Sequence, residues 1–160
     1  MNYAIRPATL DDLRDLVALR RSMFEAMGHA DAEGLHRMAE AFDRYCRERL
    51  STGDFRVWIA EAGGRPIASI GLVLHHVPPS TTCQDGLKAY IMNIVTLPEF
   101  RRLGIATALL DRVIETVKSE GIHRVYLHAT SDGCVLYGRA GFRINEDLPE
   151  MCLTLDSVAS

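Results

Sequence analysis

The sequence predicts a mixed α/β fold in a single domain that spans residues 1–160. Its length suits one domain, and its composition, 48% hydrophobic and 24% charged, supports one sizeable core. Apolar residues at helical spacing alternate along the chain with short β-rich runs, which is the order of a mixed α/β protein. Neither an internal repeat nor a long linker divides the chain, so we expect one domain.

The first third of the chain predicts a strand and two helices. Residues 3–6 form a strand candidate that stops at a proline, and Thr9 is followed by two acidic residues, as at a helix N-cap. Apolar residues then recur at helical spacing up to Met23. The stretch 28–34 contains two glycines and should break this helix, and residues 35–50 give a second helical stripe.

The middle of the chain predicts a hairpin and a third strand. Residues 55–60 and 67–74 are β-rich and are joined through Gly63 and Gly64, which is a turn signal. A loop with two prolines follows at 77–86. Residues 89–95 are largely apolar, so we expect a strand that is buried on both faces.

The last third predicts alternating helices and strands. Residues 104–120 are helical and end at Gly121, which suits the position after a helix. We expect a strand at 124–129, a short helix at 133–139 and a turn at Gly141. Two short end strands are predicted at 142–144 and 151–155.

Charge and composition exclude several functional classes. The net charge of −3 gives no general attraction to nucleic acid, and no apolar run approaches the roughly 18 residues of a membrane span. The N-terminus lacks the apolar core of a signal peptide. The four cysteines form no CxxC pair, and the six histidines show no HExxH spacing, so we expect no metal and a reducing, cytoplasmic location.

The segment FRRLGIATALLDRV, residues 100–113, is the most informative motif. Arg101, Arg102 and Gly104 stand directly before a strongly helical run, and Ala106 keeps its first turn small. Free N–H groups and the positive end of the helix dipole meet at such a junction, so a phosphate is well held there. Neither a Rossmann glycine motif nor a P-loop is present. On these residues alone, an anion site and a plain helix start with two solvated arginines both stay open.

Arg101, Gly104 and Ala106 fit the Gln/Arg-x-x-Gly-x-Gly/Ala signature of the GCN5-related N-acetyltransferase (GNAT) family. The preceding Pro98-Glu99-Phe100 resembles the family's usual approach to this turn, and residues 136–142, LYGRAGF, resemble its LYxxxGF segment. The order of elements over essentially the whole chain is also similar. The resemblance implies a central mixed, mostly antiparallel sheet flanked by helices, with a splayed central strand pair that holds acyl-CoA.

The resemblance further implies transfer of an acetyl group from acetyl-CoA to a primary amine in a direct ternary complex. The pyrophosphate would lie on the backbone amides of residues 101–107, and the pantetheine arm would pair with the strand before them. The cofactor-binding residues that it implies are Ile94, Val95, Thr96, Arg101, Arg102, Leu103, Gly104, Ile105, Ala106, Thr107 and Thr130. A strand followed by a helix N-terminus offers donors for both parts in one groove.

Tyr137 stands where the family commonly carries its general acid. A phenol with a pKa near 10 is mostly protonated at neutral pH and can donate to a leaving thiolate. This chain departs from the family in having Thr130 where an asparagine is frequent and Gly133 where an alanine is frequent. We expect Thr130 to make a weaker or rearranged contact with pantetheine.

No general base stands out in the sequence. Residues 89–95 contain no acid, and Asn93 could only position a water or the amine. The other candidates, each better explained as a surface or packing residue, are Glu25, His29, His36, His75 and His76. A water chain could serve as the base instead.

The resemblance places the acceptor pocket in residues 21–35 and 77–86, with Met27, His29 and Asn93 as the candidate substrate residues. The stretch 28–34 would form a mobile lip over a cationic acceptor. A small-molecule or peptide amine is expected, and an antibiotic, a polyamine, an amino acid and a protein N-terminus all stay open, as does a homodimer. The alternatives to an enzyme are a non-catalytic acyl-CoA-binding sensor and a domain that only shares the fold.

Overall fold

The computed structural model describes residues 2–131, 133–146 and 150–153. The chain forms two compact units, residues 1–128 and residues 129–160. The first unit contains a five-stranded sheet and three long helices, and the described residues of the second contain one short helix. That residues 1–160 form a single domain stays a prediction.

The sheet of the first unit runs in the order β1-β2-β3-β4-β5, so each strand lies beside its neighbour in sequence. The first four strands pair antiparallel, and β5 pairs parallel to β4, which confirms the predicted mixed, mostly antiparallel sheet. The strands are β1 (Ala4–Pro7), β2 (Phe55–Ala62), β3 (Arg65–His76), β4 (Leu87–Thr96) and β5 (Arg124–Leu127).

Helices flank this sheet. They are α1 (Leu13–Ala26), α2 (Ala32–Arg49) and α3 (Ile105–Ser119), with 3-10 turns at Leu10–Asp12 and Pro98–Phe100. One apolar cluster joins α1 and α2 to alternate residues of β2, among them Leu16, Phe42, Phe55 and Val57. Trp58 points to the opposite face and is also buried, so both faces of β2 are covered. The helix α3 packs on β2, β3 and β4.

The strands β4 and β5 separate part of the way along the sheet. Their register runs from Lys88 opposite Arg124 to Ile91 opposite Leu127, and β5 ends there. The strand β4 continues to Thr96, so its last five residues have no partner on that side among the described strands. This is the splayed strand pair that the sequence predicted.

A β-bulge interrupts the pairing of β4 with β3 at the same place. Ser69 lies opposite Val95 and Gly71 opposite Met92, so Asn93 and Ile94 share one β3 residue. Asn93 has a φ of 55°, in the left-handed region that β-strands do not use. The bulge therefore turns the Asn93 side chain and leaves part of the ladder unpaired.

The predicted burial of residues 89–95 on both faces is wrong. Ala89, Ile91 and Val95 are buried, whereas Tyr90 and Met92 are only half-buried. On the face opposite Ala89 and Ile91, Met92 packs against the apolar cluster of α1 and α2, whereas the Tyr90 hydroxyl lies 2.9 Å from His128 Nδ1.

The second helix begins earlier than the sequence predicted, at Ala32 instead of residue 35. The Asp31 side chain accepts from the N–H groups of Glu33 and Gly34, at 3.2 and 3.0 Å, and caps the helix. A Cβ at Gly34 would lie 2.5 Å from Asp31 Oδ2, so the glycine makes this cap sterically feasible. The predicted break over residues 28–34 is therefore shorter, and spans residues 27–31.

In the second unit, α4 (Cys134–Arg139) ends in a Schellman motif. The N–H of Gly141 donates to Gly138 O at 3.1 Å and that of Phe142 to Tyr137 O at 3.0 Å, with a φ of 94° at Gly141. Residues 142–144 and 151–153 are not strands, so these predictions are wrong. Ile144, Met151 and Leu153 are more than 80% exposed, so their apolar side chains pack against no sheet in the described part of the chain. Residues 154 and 155 lie outside the described residues.

Candidate active site

The turn between β4 and α3 has an unusual backbone. Arg102 and Gly104 both adopt positive φ, 61° and 77°, and Gly104 is the N-cap of α3. A Cβ at Gly104 would meet no atom within 4 Å, so backbone conformation and not crowding favours glycine here. The Gly104 backbone is accordingly open to close approach on the side where a Cβ would lie.

This turn presents a run of free backbone donors. The first N–H with an acceptor is that of Ala108, which donates to Gly104 O at 3.0 Å. Within the described residues, the six preceding N–H groups, those of residues 102–107, have no hydrogen-bond acceptor. Six unpaired donors at the positive end of a 15-residue helix are an arrangement that can bind a phosphate or pyrophosphate.

The side chains around this turn have different roles. Arg101 Nε donates to Thr96 O at 3.1 Å and thereby ties the turn to the end of β4. Arg102 and Leu103 are exposed, as is Thr107. Ile105 is 1% exposed and belongs to the core, so only its backbone is available to a ligand.

The unpaired end of β4 continues this surface. Ile94, Val95 and Thr96 lie beyond the last residue that pairs with β5. Thr96 O accepts from Arg101 Nε, and the other main-chain groups that face this side have no partner strand among the described residues. Thr96 Oγ1 is buried and has no hydrogen-bond partner among the described residues. A ligand with amide groups can therefore pair with this edge as an added strand does.

Tyr137 belongs to α4 in the second unit. Its ring packs edge-to-face on Phe142 with the centroids 6.1 Å apart, and burial raises the pKa of its hydroxyl. The phenol is therefore fully protonated at neutral pH and can donate a proton. A Cβ at Gly133 would lie 2.6 Å from Tyr137 Cε2, so the glycine allows the ring to lie against the start of its own helix.

Thr130 has a structural contact in the same unit. Its Oγ1 accepts from the N–H of Gly133 at 3.3 Å, and its carbonyl accepts from the same group at 3.0 Å. These bonds hold the chain at the start of α4. The predicted contact of Thr130 with pantetheine stays a prediction.

Sequence reasoning identified Asn93 but missed its partner. Arg20 Nη1 donates to Asn93 Oδ1, and the Arg20 guanidinium lies over the rings of Phe24 and Phe42, 5.1 and 4.5 Å from their centroids. Arg20 follows Leu16 and Val17 at helical spacing, so it is a charged residue on the apolar face of α1. This position was the signal in the sequence.

Comparison with known proteins decides the family of this chain. The sequence profile of the acetyltransferase (GNAT) family matches residues 14–142. The chain belongs to the GNAT family. An uncharacterised N-acetyltransferase of Methanocaldococcus jannaschii is 28% identical over 149 residues, which are 90% of this chain and 62% of that protein. The chain thus spans less than two thirds of this curated relative.

Two solved GNAT-fold structures are similar over nearly their whole length. One is a predicted acetyltransferase of Clostridium acetobutylicum, crystallised with acetyl-CoA, at 29% identity and a TM-score of 0.83, covering 94% of this chain and 96% of that one. The other is a GCN5-related N-acetyltransferase of Ralstonia eutropha JMP134, at 32% identity and a TM-score of 0.83, covering 94% and 99%.

Several side chains considered as a base in this GNAT chain are engaged elsewhere. Glu25 accepts from Arg21 Nε at 2.9 Å, and His36 lies 3.4 Å from Glu40 on the exposed side of α2. The Nε2 atom of His75 lies 3.0 Å from the hydroxyl of Tyr126. His76 is exposed on the last residue of β3.

The candidate substrate residues of α1 lie at its C-terminal end. Met27 is 54% exposed, and the His29 ring packs edge-to-face on Phe24 with the centroids 5.3 Å apart. Phe24 also contacts Arg20, so these residues border the group that includes Asn93.

No three histidine, cysteine or acidic side chains of the described residues are grouped to bind a metal. Among the helices that the structure describes, none is long and apolar enough to cross a membrane.

Proposed function

We propose that this GNAT chain transfers an acetyl group from acetyl-CoA to a primary amine in a direct ternary complex. This proposal rests on one observation: the unpaired end of β4 and the six free N–H groups before α3 follow one another and offer hydrogen bonds to a long ligand. The acetyl-CoA bound in the Clostridium acetobutylicum relative supports acetyl-CoA as the acetyl donor.

The residues present fit this donor. The free N–H groups of residues 102–107 would hold its pyrophosphate, with Arg102 adding charge. The main-chain groups of Ile94, Val95 and Thr96 would pair with the amides of the pantetheine arm. Open space at Gly104 lets a phosphate approach the backbone closely.

The reaction that we propose needs one proton donor from the protein. The amine attacks the thioester carbonyl, a C–N bond forms, the C–S bond breaks, and the thiolate takes up a proton. The Tyr137 phenol supplies that proton, since burial keeps its pKa high. Asn93 cannot accept a proton at neutral pH, so the amine releases its proton to water.

The first test is calorimetric titration of the protein with acetyl-CoA. We expect binding, and we expect Gly104→Glu to weaken it at least about 100-fold, because a carboxylate would fill the anion site and a Cβ is strained at this φ. Gly64→Glu is the matched control, since Gly64 has a φ of 74° and equally open surroundings in the β2–β3 turn. No binding to the wild type would refute the proposal.

The second test concerns Tyr137. Tyr137→Phe should lower kcat for acetyl transfer by about 10- to 100-fold, with acetyl-CoA affinity unchanged, because only the proton donor is removed. An unchanged kcat would refute the acid role of Tyr137 and leave the donor site unaffected.

A non-catalytic acyl-CoA sensor is the second candidate. It is favoured by the absence of an acidic side chain on β4 and by the engagement of Glu25, His36 and His75 elsewhere. Acetyl-CoA binding without CoA release in the presence of any amine of a broad panel would support this candidate over the enzyme.

A further inference from the structure

Arg20 is a half-buried cation without an acidic partner. Its Nη1 donates to the neutral amide of Asn93, and its guanidinium lies over the rings of Phe24 and Phe42. None of the carboxylates in the described part of the chain forms an ion pair with it. Burial lowers the pKa of Arg20, but a guanidinium stays charged at neutral pH.

Three titratable groups act on the charge of Arg20, namely Cys46, Tyr45 and Tyr90, and none of them is a carboxylate. Burial raises the pKa of the Cys46 thiol to about 12 and also raises the pKa of Tyr45, so both are neutral at physiological pH. Buried charges in proteins are normally paired, because leaving one unpaired is costly. The counter-charge of Arg20 is therefore expected to arrive with a ligand.

Two buried donors identify the place where that ligand would bind. Arg20 Nε and Asn93 Nδ2 are buried and have no hydrogen-bond partner among the described residues. Both residues line one cavity of about 10 Å³, whose other lining residues are mostly apolar: Leu16, Phe42, Phe55, Val57, Ser69, Gly71 and Val95. This is the space of about one water molecule, and thus of one carboxylate oxygen. A water would satisfy the two donors but would leave the charge of Arg20 uncompensated.

The position of Asn93 connects this cavity with the reaction. Its backbone forms the bulge of β4, directly before Ile94, where the donor's pantetheine arm is proposed to begin. An anion held by the Asn93 side chain therefore lies beside the segment at which the amine must react. The anionic group and the amine of the acceptor must accordingly be close together in one small molecule.

We propose that the acceptor is a free amino acid, whose α-carboxylate binds to Arg20 and Asn93 while its α-amino group is acetylated. This inference rests on the proposed function and specifies its substrate class. A polyamine or an aminoglycoside carries several ammonium groups and no carboxylate, so Arg20 would repel it. A protein N-terminus lacks the α-carboxylate. A cationic acceptor beneath a lip formed by residues 28–34, which the sequence analysis suggested, is disfavoured for the same reason.

The test compares each of the twenty L-amino acids with its amide, as acceptors for acetyl-CoA and as ligands of the CoA-saturated protein in calorimetry. At least one amino acid should have a kcat/KM about 10- to 100-fold above that of its amide, because the amide offers no charge to the buried guanidinium. The polyamine spermidine and a tripeptide serve as the competing acceptor classes.

Variants of α1 assign the preference to Arg20. Arg20→Gln should lower kcat/KM for the preferred amino acid about 100-fold and change that of its amide less than about threefold. Arg20→Lys keeps the charge without the forked donors and should give an intermediate loss. Arg21→Gln is the matched control, because Arg21 is next to Arg20 in sequence but is exposed and pairs with Glu25.

Each outcome decides the inference. A carboxylate preference that Arg20→Gln abolishes supports it. Amides or spermidine that react as well as the acids, or a preference that survives Arg20→Gln, overturn it while the proposed function stands. Failure of every amino acid to bind to a protein that binds acetyl-CoA also overturns it. Failure of acetyl-CoA itself to bind refutes the proposed function, and the inference falls with it.

Discussion

Two half-buried arginines of the first unit show opposite ways of placing a cation. Arg6 has all five of its N–H groups engaged: Nη1 and Nη2 donate to Asp12, Nε and Nη2 to Glu61, and Nη1 also to Pro7 O, over distances of 2.7–3.2 Å. Arg20 makes one hydrogen bond, to a neutral amide, and leaves a buried Nε unpaired. One guanidinium is fully satisfied by the fold, and the other is not.

The difference separates a structural cation from a functional one. Arg6 joins β1 to β2 and to the 3-10 turn before α1, where Asp12 also closes a capping box with Thr9. Nothing further could bind to it. Arg20 keeps an unsatisfied charge beside the β4 bulge, which costs stability and is retained most simply for binding an anion.

The largest effect on stability is expected at Arg6. Arg6→Gln should lower the free energy of unfolding by about 2 kcal/mol, because it leaves the Asp12 side chain, which is 9% exposed, without its counter-charge. The expected loss of unfolding free energy is smaller than for a fully buried ion pair, since the Arg6 side chain is 40% exposed. Urea denaturation measures the change. Arg56→Gln, which breaks a surface pair with Glu120, should cost less than about 1 kcal/mol, and an equal loss at both sites would contradict the special status of Arg6.

The stabilising effect of Arg6 should disappear in acid. Its hydrogen bonds lower the pKa of Asp12, so the folded state binds a proton less readily than the unfolded chain. This stability is fully present above the unfolded pKa, near 3.9, and is lost as pH falls through the lower folded pKa. The gap in unfolding free energy between wild type and Arg6→Gln should therefore narrow below about pH 4. A gap that stays constant from pH 7 to pH 3 would show that Arg6 acts by packing alone.

The smallest effect on the free energy of unfolding is expected when Arg20, the arginine without an acidic partner, is replaced. Arg20→Met should leave the free energy of unfolding within about 1 kcal/mol of wild type, because the lost contacts are offset by removal of an uncompensated charge from an apolar site. Urea denaturation at neutral pH tests this. A loss as large as that of Arg6→Gln would make Arg20 a structural cation as well, and would weaken its assignment to the acceptor.

Much of the fold followed from local sequence. The Thr9 N-cap with its acidic first turn, the turn at Gly63 and Gly64, and the end of α3 at Gly121 all depend on neighbouring residues, and the structure contains each of them. The turn before α3 could be located for the same reason, since its glycine and its helix are adjacent in sequence; its role in binding a phosphate stays a prediction. The start of α2 was misplaced because Gly34 suggested a break, whereas the Asp31 cap includes it in the helix.

What the sequence did not predict depends on distant partners. Arg20 and Asn93 are 73 residues apart, and their contact exists only because β4 bulges beneath α1. The bulge itself follows from a register shift between two strands, which no local pattern encodes. Residues 142–144 and 151–153, which were predicted as end strands, are not strands, because whether a β-prone segment forms a strand is decided by the strands available for pairing.

The Arg6 clamp also sets the mechanics of α1. The helix has 14 residues and is about 21 Å long, and its first turn is fixed to β1 and β2 through Asp12. Its far end runs into Gly28, which has a φ of 92° and open space around it. Met27 is about twice as far from Asp12 along the helix axis as Arg20 is, so a rotation of α1 about Asp12 would move Met27 roughly twice as far as Arg20. Any such rotation would therefore change the surroundings of Met27 more than those of the Arg20 guanidinium.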